Sequence, residues 1–155
     1  CADLSAQVAE AAADAGATVH RTGAYLCMEG PQFSTRAESE LYRSWGASII
    51  GMTNVTEARL AREAELCFAT MALVTDYDCW NEHEEPVSVE AVVERLHVNA
   101  DRARDAVRRI AGRLGEGVCG CGEVLSTAII TPPERIPGEV AEQLRPIVGR
   151  ALGME

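Results

Sequence analysis

The sequence predicts an α/β fold in which a mixed sheet is flanked by helices. Apolar stretches of strand length alternate with amphipathic stretches of helical period as far as about residue 114, and this alternation is typical of α/β proteins. Hydrophobic residues make up 47% of the chain and charged residues 25%, as in packed globular proteins. The 155 residues suit one ordinary domain or half of a larger one.

The first predicted elements are a helix and two short strands. Apolar side chains recur at helical spacing from Leu4 to Ala15, and Gly16 follows as a C-terminal stop signal. The next apolar stretches predict strands at Thr18–Thr22 and Ala24–Met28. The chain is therefore expected to open with a helix that leads into a sheet.

Two further helices and two further strands are predicted before residue 80. Ser34 and Thr35 offer an N-cap to a helix of about three turns, and Ala47–Met52 is an apolar stretch of strand length. Another helix opens at Thr56 and leads to the continuous apolar run Cys67–Thr75. Such a run predicts a strand that is buried on both faces of the sheet.

The longest predicted helix comprises Ser88 with Ala91 to Leu114, and it has an apolar stripe along one side that includes Val89 and Val92. The glycine-rich stretch Gly115–Gly122 is a predicted loop or linker, and a last helix is expected from Gly138 to Leu152. We therefore expect residues 1–114 to form one unit and residues 115–155 to form a C-terminal segment.

The charge balance excludes several classes of partner. The chain has 14 Lys+Arg against 24 Asp+Glu, which gives a net charge of −10. This acid excess repels phosphate groups, so neither nucleic acid nor an anionic membrane is an expected partner. No apolar run in the sequence reaches the roughly 18 to 20 residues that span a bilayer. The sequence predicts a cytoplasmic protein.

The six cysteines are too few for a disulfide scaffold in a chain of this length. Cys119 and Cys121 form a C-x-C pair. Two thiolates can start a zinc site, but no C-x-x-C or H-x₃₋₅-H partner in the sequence completes four ligands, so no metal is expected. The other four stand among apolar residues, as buried free thiols would: Cys1, Cys27, Cys67 and Cys79.

Polar residues follow three of the predicted strands, at Glu29–Phe33, Met52–Asn54 and Thr75–Asp78. Ligands of open α/β sheets bind at the carboxyl ends of the strands. Asp76 and Asp78 are two residues apart, so their carboxylates are expected to project to the same side. A protonated carboxylic acid in such a pair can protonate a leaving group, while its ionised neighbour accepts a hydrogen bond from an amino group.

Two other interpretations of this D-x-D pair stay open. Both residues can be solvated members of a turn, because a short motif alone is a weak signal. Both can also ligate a divalent cation through oxygen. The only other acids nearby form a charged run that is typical of a solvated surface, and His83 lies within it: Glu82, Glu84 and Glu85.

Three segments carry a resemblance to a known family. EGPQFSTRAES (residues 29–39), GMTNVTEA (51–58) and VTDYDCW (74–80) occur in the order and at the separation found in the trimeric nucleoside phosphorylases. From Cys1 to about Leu114, the chain resembles the C-terminal half of these enzymes. It is most similar to the branch that acts on S-methyl-5′-thioadenosine.

The resemblance implies a phosphorylase/hydrolase-like fold, of which only the C-terminal half is present, and a homotrimer. The implied reaction is the phosphorolysis of S-methyl-5′-thioadenosine to adenine and S-methyl-5-thioribose 1-phosphate, a step of purine and methionine salvage. Inorganic phosphate is the co-substrate, and no cofactor is expected. The family's phosphate loop and its Arg-His pair lie in the N-terminal half, so we expect a complementary N-terminal half to be needed for activity.

The resemblance also implies roles for individual residues. Phe33 would stack near the purine, Met52 would pack against the ribose, and Thr53 would bind phosphate. Asp76 would protonate N7 of the departing adenine, and Asp78 would face its 6-amino group. Tyr77, between the two aspartates, is counted with the substrate-binding residues.

Specificity is expected to depend on residues around this set. Relatives that prefer 6-oxopurines have Glu at the position of Ser34 and Asn at the position of Asp76, so this chain is expected to favour adenine. Val89 and Val92 would line the methylthio pocket, although both can also be ordinary core residues of an amphipathic helix. Other 6-amino or 6-oxo purine nucleosides, including methylthioinosine, stay open as alternative substrates.

Alternatives also stay open at the cysteines and for the function as a whole. Cys119 and Cys121 resemble a C-x-C pair of a prokaryotic and archaeal branch of the family, where the pair can form a disulfide. Two free thiols are the alternative. Cys1 at a free amino terminus would suit an N-terminal hydrolase, but a helical pattern follows it where that chemistry needs a strand. A non-catalytic module that binds adenine or serves assembly is the third possibility.

Overall fold

The computed structural model describes residues 1–81, 89–114 and 119–154. Within these residues, the sheet consists of two parallel strands, β1 (Ala24–Cys27) and β2 (Ala47–Gly51). Tyr25 is in register with Ile49, and Leu26 with Ile50. Parallel strands need a crossover between them, and a helix supplies it here. The predicted α/β class is confirmed.

Six α-helices and two short 3₁₀ helices lie in the described part of the chain. The helices α1 to α4 match the predicted ones within a few residues at each end. The α-helices are α1 (Ala2–Asp14), α2 (Arg36–Ser44), α3 (Val55–Glu63), α4 (Val89–Ala111), α5 (Gly138–Gln143) and α6 (Arg145–Val148), and the 3₁₀ helices are Gly120–Ser126 and Pro133–Arg135.

Local signals explain where the first two helices begin and end. The Thr35 hydroxyl accepts a hydrogen bond from the Glu38 N–H at 3.3 Å, and the Glu38 carboxylate accepts one from the Thr35 N–H at 2.7 Å. The two bonds together form a capping box at the start of α2. The Thr35 N–H, and next to it the Thr35 hydroxyl, which donates to the same carboxylate at 2.8 Å, lower the pKa of Glu38. Gly16 and Gly46 follow α1 and α2 with φ of +79° and +83°, a conformation that favours glycine.

Two of the predicted strands are wrong. Thr18–Thr22 and Cys67–Thr75 have no regular secondary structure. No backbone N–H of Cys67–Thr75 donates to a backbone carbonyl within the described residues, so the run lacks the ladder that would make it a strand. It is also not buried on both faces, because Val74 is 60% exposed. An apolar composition does not indicate whether a neighbouring strand is present to pair with the run.

The C-terminal segment differs from the prediction in two places. The single helix expected from Gly138 to Leu152 is divided at Leu144, which ends α5 and precedes α6. Pro146 lies in the first turn of α6, where its missing N–H is tolerated but would interrupt a continuous helix. The predicted loop Gly115–Gly122 gives way to a 3₁₀ helix from Gly120, and residues 115–118 lie outside the described part.

The core lies between α1 and α4 and is built from small side chains. Ala11, Ala12 and Ala106 form its buried cluster, and Met71 and Ile110 pack against it. The apolar stripe predicted along α4 is only partly covered. Several of its side chains are about half exposed: Val93, Leu96, Val107 and Leu114.

Among the helices that the structure describes, none combines the length and the hydrophobicity that crossing a membrane requires.

Candidate functional site

The ends of the two strands form one edge of the sheet. β1 ends at Cys27 and β2 at Gly51, and the Met28 N–H donates to the Gly51 carbonyl oxygen at 2.9 Å. Because the strands are parallel, the loops that follow them leave the sheet on the same side. This is the edge at which open α/β sheets bind ligands.

A cleft of about 410 Å³ lies between this edge and α2. Its wall contains side chains from the end of β1, from the loop after it and from α2. Glu29 and Gln32 belong to the stretch Glu29–Phe33, which was singled out from the sequence. The contribution of α2 to the wall of the cleft was not predicted. The lining residues are Leu26, Cys27, Met28, Glu29, Gln32, Glu38, Tyr42 and Trp45.

The loop after β1 reaches both this cleft and the loop of the predicted D-x-D pair. The Ser34 hydroxyl donates to Met28 Sδ at 3.5 Å, and Cys79 Sγ donates to the Ser34 carbonyl oxygen at 3.5 Å. The Phe33 side chain is 83% exposed. An exposed aromatic face on such a loop can stack on a planar ligand.

The loop after β2 lies beside the loop after β1. Met52 Sδ is 3.1 Å from the position that a Cβ on Gly30 would take, so the two loops are in close contact. Thr53 is exposed, and the next residue, Asn54, has a φ of +91°. The Asn54 side-chain oxygen accepts a hydrogen bond from the Thr70 hydroxyl at 2.6 Å. Unusual backbone of this kind is concentrated at functional sites.

The third loop carries the two predicted carboxylates. Asp76 is exposed and accepts a hydrogen bond from the Thr75 hydroxyl at 2.7 Å, while Asp78 is half-buried and accepts one from the Cys79 N–H at 2.9 Å. The Tyr77 ring packs edge-on against Trp80, with centroids 5.8 Å apart. The Arg43 guanidinium of α2 lies 3.7 Å from the centroid of Trp80, and such cation–π contacts are attractive.

Two residues of α4 that sequence reasoning missed hold this third loop. Arg95 donates to the Thr75 carbonyl oxygen at 2.9 Å, and Asn99 donates to the Val74 carbonyl oxygen at 2.9 Å. A polar residue on an amphipathic helix gives no signal of this role in the sequence. The two side chains take the place of ladder hydrogen bonds at the end of the apolar run.

Some predicted site residues lie outside the described part. The side chains of Val89 and Val92 are among them, although the backbone of α4 is described from Val89 onward. The charged stretch that was considered as a surface or as extra metal ligands also lies outside it: Glu82, His83, Glu84 and Glu85.

The cysteines are arranged differently from what the sequence suggested. Cys67 and Cys79 are exposed rather than buried, and four of the six come together. The Sγ atoms of Cys1, Cys67, Cys119 and Cys121 all lie within 4.8 Å of one another. The sequence offers Cys119 and Cys121 no C-x-x-C or H-x₃₋₅-H partner, but the fold brings Cys1 and Cys67, which are distant in sequence, next to them.

Hydrogen bonds, desolvation and charge shift the pKa values of three thiols. A hydrogen bond with the Cys119 thiol raises the pKa of Cys67 to about 11, whereas the backbone N–H of Cys121 lowers the pKa of Cys119. Desolvation, and next to it the charge of Asp78, raise the pKa of Cys79. Helix α1 begins directly after Cys1, whose nitrogen donates to the Phe68 carbonyl oxygen at 2.7 Å.

Sequence comparison matches residues 1–112 to the phosphorylase superfamily. The chain is 54% identical over 150 residues to an S-methyl-5′-thioadenosine phosphorylase of Geobacter sulfurreducens, covering 96% of this chain and 52% of the relative. It is 51% identical over 156 residues to that of Cereibacter sphaeroides, covering 98% and 54%. The chain therefore spans about half the length of the curated relatives it matches.

Two solved structures share the fold. A methylthioadenosine phosphorylase sourced from an antarctic soil metagenomic library has a TM-score of 0.86 at 38% identity, over 95% of this chain and 53% of its own. The methylthioadenosine phosphorylase from Schistosoma mansoni in complex with adenine has a TM-score of 0.67 at 30% identity, over 76% of this chain and 47% of its own. The fold predicted from the sequence is that of both proteins.

Proposed function

The chain belongs to the phosphorylase superfamily, and we propose that it carries the purine-binding half of an S-methyl-5′-thioadenosine phosphorylase. The proposed reaction uses phosphate to cleave the nucleoside into adenine and S-methyl-5-thioribose 1-phosphate. One observation carries the proposal. The three loops with the resembling motifs are held together at one edge of the sheet, through Ser34 with Cys79 and Met52 with Gly30.

The roles we propose for residues on these loops are those that the resemblance to the family implies. Phe33, which is 83% exposed, stacks near the purine, and Met52 packs against the ribose. Thr53 binds phosphate. Asp76 donates a proton to N7 of the leaving adenine, and Asp78 accepts a hydrogen bond from the 6-amino group. An acid at N7 and a phosphate beneath the sugar stabilise the two charges that develop in the transition state.

Adenine is the proposed base. A 6-oxo group would face the acceptor oxygens of Asp78 without a donor, and a buried polar group without a partner costs about 1–3 kcal/mol. Ser34 uses its hydroxyl in a bond to Met28 and has no carboxylate for the N1–H of a 6-oxopurine. Tyr77 is proposed to line the base site, and Val89 and Val92 the methylthio pocket.

We propose that the complete active site needs the half of the relatives that this chain does not span, and that the active form is a homotrimer. The small alanine core and the partly exposed stripe of α4 support a partner surface. The partners are the nucleoside and phosphate, and no cofactor takes part. The acid excess of the chain supports the absence of nucleic acid as a partner, and we expect a cytoplasmic location.

The test joins the two halves. The N-terminal part of the Geobacter sulfurreducens relative, outside the 150 matched residues, is fused ahead of Cys1, and phosphate-dependent release of adenine from S-methyl-5′-thioadenosine is measured. The complete relative serves as the positive control, and adenosine and methylthioinosine as competing substrates. We expect release by the fusion protein, with S-methyl-5′-thioadenosine preferred, and none by the chain alone.

Each other outcome contradicts part of the proposal. A correctly folded fusion protein that releases no adenine would exclude the function. Turnover by the chain alone would show that no second half is needed. Adenine binding without turnover, in the fusion protein as in the chain, would point to the non-catalytic module.

A further inference from the structure

A cluster of four cysteine thiols lies apart from the three substrate loops. Cys1 stands at the start of α1, Cys67 at the start of the apolar run, and Cys119 and Cys121 at the start of the C-terminal segment. Their four Sγ atoms lie within 4.8 Å of one another. Three separate parts of the chain therefore bring four sulfur donors to one point.

The spacing of these sulfur atoms fits a tetrahedral metal site. A Zn–S bond of about 2.3 Å implies S···S distances of about 3.8 Å at the edges of a tetrahedron. The Cys67 and Cys119 sulfur atoms are 3.2 Å apart, and all pairs are within 4.8 Å, so the observed range includes the required value. A disulfide would need about 2.05 Å, and all four are free thiols.

Backbone N–H groups are already directed at two of the sulfur atoms. The Leu4 N–H donates to Cys1 Sγ at 3.5 Å, which places this thiol at the N-terminus of α1, where a negative charge is favoured. The Cys121 N–H donates to the Cys119 sulfur. Backbone N–H groups that donate to sulfur in this way orient and stabilise thiolate ligands in metal sites.

The surroundings give the site a structural rather than a catalytic character. Cys121 is 9% exposed, Cys1 and Cys119 are half-buried, and Cys67 is exposed. Four protein thiolates fill all positions of a tetrahedral zinc ion and leave none for water or substrate. A closed site of this type stabilises a fold by joining the segments that carry its ligands.

We propose that Cys1, Cys67, Cys119 and Cys121 bind one Zn²⁺ as a tetrathiolate site that fastens the C-terminal segment to the part of the chain that carries the substrate loops. Each thiol loses its proton as its sulfur ligates the ion, so Zn²⁺ and four thiols give a complex with two negative charges and four released protons. No oxidant or reductant takes part.

The test measures metal rather than activity. The protein is purified under reducing conditions without chelators, and its zinc and iron contents are determined. We expect one zinc per chain, and after exchange with Co²⁺ the intense visible bands of a tetrahedral thiolate site. Cys121→Ser and Cys67→Ser are expected to weaken zinc binding by more than the roughly 10- to 100-fold that loss of an outer-shell partner costs.

Two cysteines outside the cluster provide matched controls. Cys27→Ser and Cys79→Ser are expected to keep one zinc per chain. Removal of zinc from the unsubstituted protein by a strong chelator should lower its Tm, and added Zn²⁺ should restore it, which tests the site without a variant that has to fold. A metal-free protein with free thiols, disulfides that persist under reduction, iron instead of zinc, or a Tm unaffected by the chelator would each overturn the proposal.

Discussion

The residues proposed to act on the purine lie on a loop whose backbone is held from outside. Arg95 and Asn99 of α4 bind the carbonyl oxygens of Thr75 and Val74 at 2.9 Å, directly before Asp76. A loop fixed in this way can present a carboxyl group at a constant position, and general acid catalysis requires that the acid lie within hydrogen-bond reach of its target. The position of Asp76 therefore depends on α4 as well as on its own loop.

Asp76→Asn tests the proposed proton donor. In the fusion protein described above, this change should lower kcat/KM for S-methyl-5′-thioadenosine by about 100-fold or more, because general acid catalysis contributes roughly 10²- to 10⁴-fold. The amide can still donate a hydrogen bond to N7, so preference should shift toward 6-oxopurine nucleosides. The measurement is steady-state kinetics with both nucleoside classes.

Asp101→Asn is the matched control for this prediction. Asp101 forms an exposed ion pair with Arg104 on α4, and exposed pairs contribute little to stability, so kinetics should stay close to those of the parent. If Asp76→Asn stays within a few-fold of the parent for the adenine nucleoside, the role assigned to Asp76 is wrong.

For individual residues, the sequence could predict the substrate loops but not the side chains that hold these loops in place. The resembling motifs are short, local patterns, and the structure places the loops that carry them at one edge of the sheet. Arg95, Asn99 and the partners of Cys119 act across long stretches of chain: Cys67 lies 52 residues from Cys119, and Asn99 lies 25 residues from Val74. Such pairs depend on tertiary packing, which local spacing does not encode.

At the scale of elements, the end of α3 is formed by a residue other than glycine. The Glu65 N–H donates to the Arg62 carbonyl oxygen and the Leu66 N–H to that of Ala61, which is the pattern of a Schellman motif. Glu65 has a φ of +56°, a region where non-glycine residues carry strain. Its carboxylate accepts the Leu125 N–H at 2.9 Å and also binds Arg150. The side chain thus links α3 to the C-terminal segment.

Glu65→Gln tests this link through pH. The Leu125 N–H, and next to it Arg150, lower the pKa of Glu65 from its usual 4.5. The ionised form therefore stabilises the folded state above pH 4.5, and this stabilisation is lost as the pH falls through the lowered pKa. Urea unfolding should show Glu65→Gln as less stable than the parent at pH 7, with a difference that shrinks in acid.

Glu63→Gln provides the control, because Glu63 is an exposed residue in the last turn of the same helix. We expect its unfolding midpoint to follow that of the parent at every pH. A difference between Glu65→Gln and the parent that is constant from neutral to acid pH would contradict a role for the ionised carboxylate.

The elements that could be predicted are those whose signals are local. Helices α1 and α2 have caps within a few residues of their ends, at Gly16 and Thr35. The strand predicted at Thr18–Thr22 and the one at Cys67–Thr75 failed because a strand needs a neighbour, and periodicity does not report whether one exists. The break at Leu144 had a local signal, since Pro146 follows it closely.

The whole molecule exposes more surface than a folded monomer of its size. Its accessible surface is 11456 Å², whereas a monomer of 16.6 kDa has about 7,600 Å² by the usual scaling with mass. Exposed apolar side chains of α4 and of the apolar run, such as Leu96 and Val74, belong to this excess. Under the proposed function, the half of the relatives that this chain does not span would cover such surface.

Amide hydrogen exchange in the apolar run Cys67–Thr75 tests whether the other half of the relatives covers this run. In the chain alone its amides should exchange rapidly, because none donates to a backbone carbonyl of the described residues. In the fusion protein the other half should supply a neighbouring strand. Protection should then rise by at least about a hundredfold, or roughly 2.8 kcal/mol of opening free energy.

The amides of Ala11 and Ala12, buried in the α1–α4 core, should be protected in both forms. Equal protection of the run in the two forms would mean that the chain completes its own sheet, and the need for a second half would lose its structural basis.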